Sequence, residues 1–398
     1  MQRLFCLIAL ACLSVSPCAL ELATLEPARS PQAYQRLSEQ VRQYDHQAMT
    51  AELESSGRTE PLPAPPTSKF GFDPDAPVDF FTTAEGQRIA KIVLSYQTPS
   101  GGWSKRTDMS VETRQPGQAY GVESHYIPTF DNGATTTQIW LLAKAHQATD
   151  EPAYADAVAR AVRLITLAQY PGGGWPQNFP LTGGYHDYIT YNDEVMGKLL
   201  KVLHAAARRQ PPLDFLPEPL VTQARQSFDR GIQAVLDTQV IVDGTPTIWG
   251  AQHHPQTLAP LNARKFEPLA LATAESAELV EFLMELDEPS TELKQAIVAA
   301  HNWFATNRID DYTWEQTSRG HNELFKKDGA GPIWARFCEI GSNRPVFGDR
   351  DGSVHYDVSE ISQERRDGYA WFTGKPKEVL KDYPAWSAKH LPRPDNTN

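Results

Sequence analysis

Three times along this chain a turn rich in glycine and tryptophan precedes an amphipathic stretch, and the tryptophans recur at a nearly constant interval. The turns read Gln97-Thr98-Pro99-Ser100-Gly101-Gly102-Trp103, Gln169-Tyr170-Pro171-Gly172-Gly173-Gly174-Trp175 and, more loosely, Thr238-Gln239 through Trp249-Gly250. Trp103 and Trp175 are 72 residues apart and Trp175 and Trp249 are 74 apart, which leaves room for a pair of helices and their loops in each unit. A long fixed period marks an array or ring of like units rather than a mixture of unrelated elements. Equivalent positions in such a ring converge on one of its ends. Asp131, Asp193 and Arg264 stand behind the three turns, so the repeat predicts that two carboxylates and a guanidinium share one site.

The hydropathy pattern makes the units helical. Apolar positions at helical spacing predict helices over 88–96, 154–168, 193–208, 220–236, 268–286 and 291–306, and Ile139, Leu142, Ala143 and Ala145 mark another. Pro268 suits a first helical turn. Strand signals are few and short, at 240–242 and 354–356. The class is therefore mainly α, with antiparallel helix pairs joined by short loops. Beyond Thr306 the periodicity gives way to charged and aromatic loops over 310–376, and long structured loops of this kind carry function.

At the other end, Met1-Gln2-Arg3, an apolar run from Leu4 to Leu13 and small residues through Ala19 have the form of a secretory signal covering residues 1–19. Residues 20–79 then read as a helical and Pro-rich extension. Its polar stretch over 30–57 suits a helix, and Pro61-Leu62-Pro63-Ala64-Pro65-Pro66 makes a stiff linker ahead of a catalytic domain over 80–398. Cys6, Cys12 and Cys18 all fall in the signal, so its removal leaves Cys338 alone and no internal disulfide. No other stretch is apolar for long enough to span a bilayer. The expected location is secreted or periplasmic in a bacterium, as a monomer.

A formal charge of −12 excludes a general attraction to nucleic acid or any other polyanion. An acidic substrate would need a local basic cluster, a metal ion, or both. The segments Thr129-Phe130-Asp131-Asn132-Gly133 and Tyr191-Asn192-Asp193-Glu194 each set Asp beside Asn where a helix begins. The plain reading is N-capping, but recurrence in two units favours a shared role. Carboxylate and amide oxygens are the hard ligands calcium takes, with substrate oxygens and water completing the shell. The third unit offers Leu261-Asn262-Ala263-Arg264-Lys265-Phe266-Glu267. Its plain reading is a basic loop in which Arg264 pairs with a nearby glutamate. Arginine becomes a plausible base only when a metal acidifies the proton it removes.

Trp334-Ala335-Arg336-Phe337 and Gly348-Asp349-Arg350-Asp351 would supply forked carboxylate donors from the C-terminal loops. Lys105 and Asn178 follow Trp103 and Trp175 closely, on what could be a sugar-binding rim or merely a loop anchored by a core tryptophan. His253-His254 has no third ligand at useful spacing, which excludes zinc there. There is no Gly-x-Ser-x-Gly elbow, P-loop or dinucleotide fingerprint.

Taken together, GGWSKRTDM (101 to 109), TFDNGATTTQ (129 to 138), YPGGGWPQNFP (170 to 180), YITYNDEVM (188 to 196), LNARKFEP (261 to 268), WARFCEIGSNRPVFGDRDGS (334 to 353) and RRDGYAWFTGKP (365 to 376) resemble the pectate lyases of polysaccharide lyase family ten. The resemblance runs from about residue 80 to 384. It implies an incomplete α/α toroid of three helical hairpins, and calcium-dependent anti β-elimination on de-esterified, α-1,4-linked polygalacturonate. It further implies Arg264 as base, Asp131, Asp193 and Asn132 as calcium ligands, and Arg336, Arg350, Lys105 and Asn178 as substrate-binding groups. An arginine base implies an alkaline optimum. Two rivals remain at this level. One is a glycoside hydrolase using Asp131 and Asp193 as acid and base, and the other is a non-catalytic pectin-binding protein.

Overall fold

The computed structural model describes residues 24–123 and 127–392. The expected signal over 1–19 lies outside them. The chain is mainly helical, and its helices are α1 (Pro31–Ser56), α2 (Ala84–Ser95), α3 (Thr136–Thr149), α4 (Pro152–Ala168), α5 (Val195–Ala207), α6 (Glu218–Thr238), α7 (Thr273–Met284), α8 (Thr291–Thr306), α9 (Gln363–Asp367) and α10 (Pro376–His390). Their ends follow local chemistry. The Ser30 hydroxyl accepts from Ala33 N–H ahead of Pro31, and Gly57 ends α1 in the left-handed region at φ 65°. Thr83 and Ser290 cap α2 and α8 in the same way as Ser30.

Two layers of helices make up an α/α toroid. The first helices of successive pairs, α4, α6 and α8, pack on one another in series, and so do the second helices α3, α5, α7 and α10. Helices of the two layers pack as α2/α3, α3/α4, α4/α5, α5/α6 and α7/α8, and α8/α10 continues the series beyond the three hairpins legible in the sequence. Among the described residues the series does not close into a barrel. Each pair is pinned by its tryptophan. Trp103, Trp175, Trp249 and Trp334 are fully buried, and their indole N–H groups donate to Val93 O, Ile165 O, Val235 O and Phe304 O at 2.7–2.9 Å. They are core anchors, and the rim reading does not hold for them.

The glutamine that opens each turn ties one pair to the next. Gln97 Nε2 donates to Ala157 O, Gln169 Nε2 to Ser227 O and Gln239 Nε2 to Ala296 O, at 2.8–3.0 Å. The glycines allow the turns to approach that next helix. A Cβ on Gly101 would stand 2.7 Å from Arg160 O, and one on Gly173 2.3 Å from Arg230 O, both with φ well inside the positive region. Helix α1 packs on this body and shares its core through Tyr34, Leu37 and Val41. Tyr34 donates to Ala168 O, and Glu52 receives Arg114, Gly117 N–H and Tyr120.

Two expectations are corrected. The helix placed over 268–286 begins at Thr273, because residues Leu271 and Ala272 pair antiparallel with Cys338 and Phe337 instead of coiling. The loop region after Thr306 contains a hairpin, Tyr312–Gln316 against Asn322–Lys326. Among the described residues no helix is long and apolar enough to cross a membrane.

Candidate active site

The two carboxylate segments do meet. Asp131–Gly133 and Asn192–Glu194 are single 3-10 turns leading into α3 and α5, and they pack against each other. Their backbones also correct the register read from sequence. Thr129 N–H donates to Trp103 O and Thr190 N–H to Trp175 O, so Asp131 corresponds to Asn192 and Asn132 to Asp193. The backbone dihedrals agree, with φ of 52° at Asn132 and 55° at Asp193. The two aspartates therefore reach one another from adjacent, not equivalent, positions. In the third unit Ala272 N–H donates to Trp249 O, and the matching position is Glu275, in the first turn of α7. Arg264 comes from the preceding loop and is no repeat equivalent of the aspartates.

Asp131 is buried and its Oδ2 takes a 2.5 Å bond from Lys105, which also faces Glu123. Burial works against its charge, but hydrogen bonding from Asp193 and the nearby Lys105 hold its carboxyl below the usual range. Asp193 goes the other way. Burial, then the hydrogen bond and charge of Asp131, push it up to about 7, with Arg336 opposing. The two carboxyls compete for one proton.

Asp131 Oδ1, Gln177 Oε1 and Asn178 Oδ1 are buried without hydrogen-bond partners. Orphaned acceptors of this kind, next to two carboxyl groups, suit a hard cation. Among the described residues no group of three or more His, Cys, Asp and Glu side chains forms a ready-made metal cage. Asn132 shares the turn of Asp131 but is exposed. Asn178 donates to Thr182 Oγ1 and bridges to Thr129.

The C-terminal loops fold over this end. Residue Trp334 to Cys338 form two short strand pairs, with Phe372–Thr373 and with Leu271–Ala272. Arg336 thereby lies between them, bonded to Glu275 through Nε and Nη2 and to Asn192 Oδ1 through Nη2 at 3.1 Å. Arg264 makes the same kind of pair with Glu267, through Nε at 2.8 Å and through Nη2. Tyr369 joins the two arms: its hydroxyl donates to Glu267 Oε1 at 2.7 Å and its ring lies 4.6 Å from the Arg336 guanidinium carbon. On the far side, Phe266 carries Arg264, Arg350 and Arg365 within 4.5–5.3 Å of its centroid. Arg350 itself is exposed and pairs with Glu364.

The structure thus brings Lys105, Asp131, Asp193, Arg336, Arg264 and Arg350 into one line of contacts. Sequence reasoning missed Glu275, Tyr369 and Phe266, whereas the pairing of Arg264 with a nearby glutamate, the plain reading of LNARKFEP, is the one Glu267 makes. His253 is buried, bonded to Gly250 N–H and Leu258 O, with its pKa lowered to about 4 by burial, and His254 accepts from Gln256 and Thr257 N–H.

The family model of the pectic acid lyases matches residues 97–380, which carry every one of these groups. The chain belongs to the pectic acid lyase family. Among solved structures, the family 10 polysaccharide lyase from Cellvibrio cellulosa is similar at 32% identity and TM-score 0.70, over 78% of this chain and 95% of that one. A mutant of that lyase in complex with trigalacturonic acid is similar at 32% identity and TM-score 0.69, over 77% and 95%. A comparison with curated proteins finds no match. The protein is a pectate lyase with the α/α toroid of its family, and the non-catalytic reading falls away.

Proposed function

We propose that this lyase cleaves α-1,4-linked polygalacturonate by calcium-dependent anti β-elimination and releases 4,5-unsaturated oligogalacturonides. The observation that supports the reading is the line of contacts from Asp131 and Asp193 through Arg336 to Arg264, which suits a two-carboxylate cation site and a guanidinium clamp beside a base. Hydrogen at C5 of a galacturonate is weakly acidic because the neighbouring carboxylate resists a second negative charge. Calcium held by Asp131 and Asp193, with Asn132 adjoining, would draw charge from that carboxylate. Arg336 and Arg350 bind uronate carboxylates, and Lys105 and Asn178 hold sugar oxygens alongside.

Arg264 takes the C5 proton. The C5–H electron pair becomes the C4=C5 double bond, the C4–O pair leaves with the glycosidic oxygen, and that oxygen takes a proton. No water is consumed. Burial disfavours the charged Arg264 guanidinium, but hydrogen bonding and charge from Glu267 outweigh this and raise its pKa above the ordinary arginine value. Neutral Arg264 is therefore scarce, and activity climbs with pH. We propose residues 1–19 as a secretory signal, action outside the cytoplasm on plant-type polyuronate, residues 80–398 as the catalytic region, and a monomer. Replacing Arg264 by Ala tests the base: kcat falls by about a hundred- to ten-thousandfold, the range of a lost general base, while oligogalacturonate still binds. An Arg264→Ala enzyme with undiminished kcat would remove the assignment.

A further inference from the structure

The base and the carboxylate clamp are both arginines, and each is held in the same way. Arg264 spends its Nε and Nη2 on Glu267, and its backbone N–H donates to Glu267 Oε2 at 3.1 Å. Arg336 spends its Nε and Nη2 on Glu275 Oε1. Nη1 of each has no hydrogen-bond partner among the described residues and is the edge left for substrate. A guanidinium fork bound along one edge is fixed in its plane. Both glutamates are buried, while Arg264 is exposed and Arg336 is half-buried, so neither fork can turn without leaving a buried carboxylate unpaired.

Tyr369 stands between the two forks. Its hydroxyl donates to Glu267 Oε1, the oxygen that also receives Arg264 Nη2. Its ring meets Arg336 at 4.6 Å and Arg264 at 5.8 Å, and packs edge-on against Phe266 at 5.3 Å. A single side chain therefore touches the partner of the base with its polar end and the clamp with its face. Removal of the C5 proton needs the base and the clamped carboxylate in register on one sugar, and sub-ångström misplacement of reacting groups is costly.

We propose that Tyr369, acting through Glu267, is a positioning residue that locks the Arg264 and Arg336 forks in register, so that their Nη1 edges address the same galacturonate. The inference rests on Arg264 as base. The charged and titratable groups facing Arg264 are Glu267, Tyr369, Tyr185 and Arg350, and of these Glu267 makes the direct bonds.

The test compares Tyr369→Phe, Tyr369→Leu, Glu267→Gln and Arg264→Ala on polygalacturonate with calcium, with thermal unfolding of each measured alongside. Tyr369→Phe keeps the ring and loses the hydroxyl, and its kcat falls about tenfold with KM within about twofold. Tyr369→Leu loses the ring as well, and KM now rises about tenfold because Arg336, still paired with Glu275, loses the ring face that sets its register with Arg264. In Glu267→Gln the rise of kcat with pH moves to lower pH by about one unit, since a neutral partner stabilises the guanidinium less. A merely structural role would not move that profile. Unchanged kcat in Tyr369→Phe together with an unshifted profile in Glu267→Gln would overturn the inference. Full activity in Arg264→Ala would instead overturn the base assignment, whatever the other variants do. If Tyr369→Leu fails to fold, Tyr369→Phe and Glu267→Gln still decide.

Discussion

At the scale of single residues, charge is distributed to leave acceptors open. Asp131 gives one oxygen to Lys105 and keeps the other without a donor, and Asp193, with burial and the charge of Asp131 against it, has its carboxyl pushed up to about 7. That is a poor resting arrangement for two isolated carboxylates and a good one for groups that meet a cation. Changing either Asp131 or Asp193 to Asn removes one hard, charged ligand, and the calcium concentration for half-maximal activity rises by about tenfold or more. A calcium titration that superimposes on wild type for both variants would contradict their role. The residue types were legible in the sequence, since Asp beside Asn at two helix starts is a strong local signal. Their register was not. The stretch from each tryptophan to its 3-10 turn differs in length between units, so counting along the chain aligned Asp131 with Asp193, whereas the backbone aligns Asp131 with Asn192 and Asp193 with Asn132.

At the scale of elements, the turn and not the helix is the unit that repeats. Glutamine and tryptophan in each turn respectively bond to the next pair and enter the core, and in the first two turns glycine lets the chain approach the next pair's backbone. The helices were legible because their apolar spacing is regular, and α8 is placed over 291–306 by spacing alone. The start of α7 was not, because two residues ahead of it are taken by a strand whose partner lies some 65 residues away in the chain. The hairpin over Tyr312–Gln316 and Asn322–Lys326 alternates poorly, with largely exposed side chains, and gave no periodic signal. The turn account makes a stability prediction. Gly173→Ala forces a positive-φ residue and a Cβ onto Arg230 O, at a cost of about 2–4 kcal/mol, whereas Gly183→Ala, also at positive φ but in open space, costs about 1 kcal/mol. Denaturant unfolding of the two variants measures the difference, and equal midpoints would count against close approach as the reason for the glycine.

At the scale of the whole molecule, the toroid gathers the aspartates and the non-repeating loops complete the site. Asp131 and Asp193 arrive on adjacent units, one from each of two neighbouring, non-equivalent positions of the repeated turn. Arg264 precedes the third unit's helix, Arg336 arrives on a loop that strand pairing with Leu271–Ala272 and Phe372–Thr373 draws over the same end, and Arg350 sits in the hairpin of Phe347–Gly348 and Val354–His355. The convergence of these loops could not be read from periodicity, because short strand pairs between distant segments leave no pattern in either one. Helix α1, expected as part of a separate extension, packs into the shared core through Tyr34, Leu37 and Val41. The most direct measurement of the central claim is ultraviolet absorbance during incubation of the enzyme with polygalacturonate, in calcium and in excess chelator. The account predicts a steady rise from the conjugated double bond of the product in calcium and none in chelator. New reducing ends without that absorbance, or a rise that chelator leaves intact, would contradict it.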